Sequence, residues 1–164
     1  MREYGDYIRE TKRLLQNYNK MKVAALNLTE EIKAQENLLR DESIASVQYG
    51  DARIGGGTRE LTTTEAAAVR RIKLEGHIAD MRIRRDEIER TIRAIDRVFE
   101  LLDDSDVELI QRRYMQGQLW AQVAEALNYT EKWAKEKGGK VLRDVALMLF
   151  GVTVRPVQIK LALS

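Results

Sequence analysis

Between residues 131 and 143 the chain reads EKWAKEKGGKVLR, with five basic and two acidic side chains. The ammonium groups of Lys132, Lys135 and Lys140 suit phosphate oxygens, which lysine holds as a point charge without reading sequence. Glu131 and Glu136 can accept from a cytosine amine, although a carboxylate also repels phosphate. Arg112, Arg113, Gln118, Thr130 and Trp133 complete the candidate contact set. For the two arginines, surface pairing with the acidic cluster Asp103, Asp104 and Asp106 is the plainer reading. That cluster could in turn be imagined as metal ligands, but acids beside a helix N-terminus meet the positive end of its dipole, and this is the simpler account.

Other chemistry is sparse. Cysteine is absent, which removes disulfides, zinc-thiolate sites and thiol nucleophiles together. The single histidine, His77, has no partner pattern and reads as a helix-surface or interface residue. No phosphate loop, serine elbow or metal spacing occurs. Neither an enzyme nor a bound cofactor is expected. Net charge is only +2, so any basic surface must be local. No apolar run reaches the length of a membrane span, and MREYGDYIRE has no apolar core of signal-peptide length. A soluble protein of a bacterial cytoplasm is expected.

The elements that must position these residues are helical. Charged residues make up 33% of the 164 and aromatics 6%, with one proline, which suits long solvated helices and an all-α fold. Tyr4, Tyr7, Leu14, Tyr18, Met21, Ala25, Leu28, Ile32 and Leu39 recur in steps of three and four, with Thr11 and Gln35 as polar interruptions. Leu74, Ile78, Met81, Ile88, Ile92, Ile95, Phe99 and Leu102 repeat the pattern, with Arg85 as its one charge. Both are heptad seams. The glycines between them break the helix, and Thr62 to Glu65 has capping-box spacing. Helices over roughly 3–42 and 63–102, each about 60 Å long, predict an antiparallel coiled-coil-like hairpin with a loop at 44–62. The arginines of the second helix, among them Arg70, Arg82 and Arg90, alternate with acids and read as a solvated face.

Beyond residue 102 the pattern shortens. Ser105 to Glu108 has capping-box spacing before an apolar run, and Gly117 ends that helix. The next helix, 119–127, carries Trp120, Val123, Ala124 and Leu127. Ala124 is small enough for a close helix crossing, Asn128 tolerates positive φ, Tyr129 supplies an apolar anchor, and Thr130 can cap a helix from Glu131. Ten residues after Ala124, Ala134 locks the two helices together. These offsets are those of a helix-turn-helix.

Arg113-Tyr114, Gly117, Trp120, Val123-Ala124, Leu127, Asn128-Tyr129-Thr130 and Trp133 carry a resemblance. Residues 109–133 look like region 4 of sigma-70-type transcription factors. The whole chain resembles small phage and prophage proteins with an N-terminal helical hairpin and a sigma region-4-like C-terminal domain. The resemblance implies a non-enzymatic DNA-binding regulator of phage transcription, with double-stranded DNA as partner and RNA polymerase as a second. The chain departs from the pattern after Trp133: Ala134 replaces a larger apolar residue, Glu136 stands near an expected arginine, Lys137 takes an apolar position, and Gly138 and Gly139 are expected either to permit close approach to a phosphate backbone or to loosen the helix.

The domains expected are a hairpin, 1–102, for homo-oligomerisation; a helix-turn-helix domain, 103–150; and an extended C-terminal arm, 151–164, with alternating apolar residues. A small-terminase-like packaging protein, forming rings, and a protein-docking module are the alternatives to a dimeric regulator.

Overall fold

A computed structural model describes residues 4–50 and 57–151, without the side chains of residues 4, 43, 45–50 and 57–63. Every element among them is helical: α1 (Tyr4–Gly50), α2 (Gly57–Leu101), α3 (Asp104–Ile110), α4 (Trp120–Ala126) and α5 (Glu131–Phe150), with a π-helical turn, Gln111–Met115, after α3. None of the described helices is long and apolar enough to cross a membrane. The expected arm lies, apart from Gly151, outside the described residues.

The long helices reach further than the expected 3–42 and 63–102. Residues 44–50 and 57–62, expected in the loop, are helical. The physical reason is that residues 43–49, SIASVQY, contain no breaker before Gly50, and extending an existing helix is cheap once it is nucleated. A similar correction applies to α3. Its N-cap is Asp103, whose carbonyl accepts from the Asp106 and Val107 amides at 2.9 and 3.0 Å. Ser105 therefore lies inside the helix, and Glu108 pairs with Arg112 at 2.8 Å instead of turning back to a cap.

The chain divides into two compact units: residues 22–89, and the described parts of 1–21 with 90–164. In the first, Ile32, Ile78 and Met81 are buried, with Leu28, Leu39 and Leu74 packed against them. An Arg82–Glu36 ion pair links α1 to α2 beside this seam. Arg85, the one charge in the second heptad seam, is half-buried and pairs with Asp86 at 2.8 Å.

In the second unit one core joins the chain-terminal ends of the long helices to α3, α4 and α5. Leu15, Ile95 and Val98 belong to the same buried cluster as Leu109, Ile110, Val123, Val141 and Val145. The core thus runs continuously past residue 102. Leu15, fully buried, was not part of the expected seam, whereas the polar interruption Thr11 is equally buried. Its hydroxyl donates to the Tyr7 carbonyl at 2.8 Å, which satisfies it inside its own helix. Tyr18 donates to the Asp96 carboxylate at 2.5 Å and meets Phe99 edge-on.

Candidate nucleic-acid interface

The candidate surface is built on α4, the turn after it and α5. Asn128 takes φ +56°, the left-handed conformation its offset from Ala124 required. The Tyr129 amide donates to the Ala124 carbonyl at 2.9 Å and closes the turn. Thr130 caps α5: its hydroxyl accepts from the Trp133 amide at 3.2 Å. Gly117, at φ +72°, turns the chain between the π-helical segment and α4. Tyr129 departs from its expected role as an apolar anchor. It is 46% exposed and stacks on Trp133, with ring centroids 3.6 Å apart, because the start of α5 stands clear of the core.

The two glycines of α5 have different surroundings, and neither interrupts the helix, which runs unbroken to Phe150. Gly138 is buried against the indole of Trp120. A Cβ there would lie 2.3 Å from Trp120 Cη2 and 2.8 Å from Cζ3. The small residues Ala124 and Ala134, both buried, let α4 and α5 approach, and Trp120 fills the space that a side chain at 138 would take. Gly139 faces outward, where an added Cβ meets only Arg143 Nη1 at 3.9 Å. Tertiary packing thus holds the helix where propensity alone would weaken it.

Of the candidate contact residues, Lys132, Glu136 and Lys140 are exposed on α5, and among the described residues no partner engages them. Lys135 pairs with Glu131 at 2.6 Å, an exposed i,i+4 pair. Three candidates are held within the unit. Arg112 pairs with Glu108. Arg113 donates to the Gln118 carbonyl at 2.7 Å and lies 5.0 Å from the centre of the Trp120 ring, a cation–π distance. The Gln118 side-chain amide donates to that of Gln116 at 3.1 Å. Neither arginine takes the expected pairing with the acidic cluster. Lys137 does so: its ammonium is 2.9 Å from Asp106 Oδ1, which explains a lysine at a position where an apolar residue was expected. The alignment is ionic rather than a directed hydrogen bond.

Tyr114, which also meets Trp120 edge-on, is buried, and burial pushes its hydroxyl pKa up. A groove of about 280 Å³ opens beside Gly139, lined by Tyr114 and Trp120 and by three cations, Lys12, Lys135 and Arg143. Lys12 and Arg143 are additions to the sequence-based set. The signal for Arg143 was present, since it lies two helical turns beyond Lys135. Lys12 carried none, because only folding brings α1 to α5.

No family model matches the chain, and no curated protein or solved structure matches it significantly.

Proposed function

We propose that this chain is a duplex-DNA-binding regulator of phage type, working as a dimer, in which α4, the Asn128 turn and α5 act as a helix-turn-helix. In this reading α1 and α2 form the antiparallel hairpin that carries oligomerisation, and the N-terminal half of α5 enters the major groove. The observation that carries the reading is the exposed start of α5. Two of the helix's four lysines, Lys132 and Lys140, have no partner among the described residues, and it follows a positive-φ turn and a side-chain cap. Unpaired ammonium groups on one helix face supply the salt-dependent attraction to phosphate. Lys12 and Arg143 extend that cationic face along the groove beside Gly139. Glu136 is the one unpartnered group on this face that can accept from a base, so positioning outweighs direct reading.

A second reading, docking on RNA polymerase or another protein, is favoured by the half-exposed Tyr129 stacked on Trp133, since paired aromatics anchor protein interfaces.

The test is titration of the full chain against duplex DNA from its own genomic neighbourhood at several salt concentrations. Each phosphate contact adds about 0.9 to the slope of log affinity against log salt, so Lys132→Ala/Lys140→Ala is expected to flatten it by about 2. No binding by the unaltered chain, or an unchanged slope in the variant, would refute the reading. Binding to polymerase with no affinity for DNA would select the second one.

A further inference from the structure

The outer face of α2 carries a second apolar stripe that the seam with α1 leaves uncovered. Val69, Ile72, Gly76, Ala79 and Ile83 follow one another in steps of three, four, three and four, the spacing of a heptad seam. All five are exposed, Val69 by 50%, Ile72 by 67% and Ile83 by 58%. Gly76 stands at the middle of the stripe. An added Cβ there meets nothing within 4 Å, so nothing in the chain's own packing calls for a glycine at a position where it weakens the helix. A second helix approaching closely would call for one.

The stripe is self-complementary when two copies of α2 run antiparallel. In the register where Ile72 faces the partner's Ile83, Gly76 faces the partner's Ala79. Two small central layers then lie between two isoleucine layers. The flanking positions match in the same register. Lys73 comes opposite the partner's Asp80, and Glu75 opposite the partner's Arg82, and two-fold symmetry doubles both pairs. Arg82 and Glu75 are engaged within the chain by Glu36 and Arg71, yet their side chains remain 53% and 49% exposed and can share a further partner. Parallel pairing would instead set Asp80 beside the partner's Glu75, acid against acid.

We infer that this face of α2 binds a second copy of the chain, through an antiparallel, two-fold interface centred between Gly76 and Ala79. The inference names the surface for the dimer in the proposed function and is independent of its DNA contacts.

Light scattering of the full chain tests it. The unaltered protein is expected at twice the 18.9 kDa chain mass. Ala79→Glu is expected to give monomer with unchanged helicity. Asp80→Lys alone is expected to raise the dissociation constant about tenfold, and Lys73→Glu with Asp80→Lys to restore it to within about threefold. A monomeric or ring-forming unaltered protein overturns the inference, as does a dimer indifferent to Ala79→Glu or a charge exchange that fails to restore association. Failure of DNA binding leaves these masses unchanged, and a monomer that binds DNA sinks the interface alone.

Discussion

Gly138 and Gly139 are adjacent in one helix and are expected to respond to the same substitution with opposite signs. Helix propensity alone gives both Gly→Ala changes a gain of about 1 kcal/mol. At Gly139 the gain is kept, because the new methyl meets only the flexible end of Arg143 at 3.9 Å. At Gly138 the methyl would lie 2.3 Å from Trp120 Cη2 and 3.3 Å from Leu109 Cδ2. Ordinary carbon contact is roughly 3.5 Å, so the ring must retreat by about 1 Å. It is held by the edge of Tyr114 and by Arg113, whose guanidinium also fixes the Gln118 carbonyl. Overpacking of this kind costs about 1–3 kcal/mol, which offsets the propensity gain and leaves Gly138→Ala destabilised by up to about 2 kcal/mol. Urea unfolding followed by far-ultraviolet circular dichroism measures both variants. Trp120→Phe shortens the ring, so Gly138→Ala is expected to cost less in that background, a coupling read by a double-mutant cycle. Equal stabilisation by both alanines, or no coupling to Trp120, would refute this account of the double glycine.

Asn128→Ala is expected to cost about 1 kcal/mol, the penalty for a Cβ in the left-handed region, while Asn128→Gly is expected to be near neutral; thermal midpoints distinguish them. Thr130→Ala removes the cap of α5 and is expected to lower stability by about 1 kcal/mol, with Thr130→Ser retaining most of it in the same unfolding assay. Tyr18 has its hydroxyl pKa raised to about 12, first by burial and then by its hydrogen bond to Asp96 and that carboxylate's charge. A raised folded pKa gives stability that is complete below the unfolded value of about 10 and is lost as pH rises from there toward 12. Urea midpoints are therefore expected to fall through that window in the unaltered protein, and Tyr18→Phe is expected to remove part of the fall.

Heptad spacing, cap chemistry and turn chemistry are local properties, and they are legible. Ile32, Ile78 and Met81 were identifiable as seam residues, and they are buried in one cluster. Asn128 and Thr130 were assignable because positive φ and an N-cap each restrict the residue types that serve. The limits of legibility are also physical. Loop bounds at 44–62 failed because weak helix formers stay helical once a long helix is nucleated. The capping-box spacing at Ser105 misled because Glu108 found a better partner in Arg112. Arg113 read as a surface cation, and only the position of Trp120 shows why its guanidinium is held inside the unit.

The sequence by itself determined that the chain is helical, where α4 turns into α5, and which lysines α5 carries, because each depends on residues within a few positions of one another. Tertiary structure decided what those residues are free to do. It set the Trp120 indole against Gly138, paired Lys137 with Asp106, and brought Lys12 from the first helix beside Arg143 near the end of the chain. A contact between residues far apart in sequence leaves no local period to read. The double glycine of α5 is its clearest case: propensity scores both residues as defects, and packing makes one of them the seat of a tryptophan.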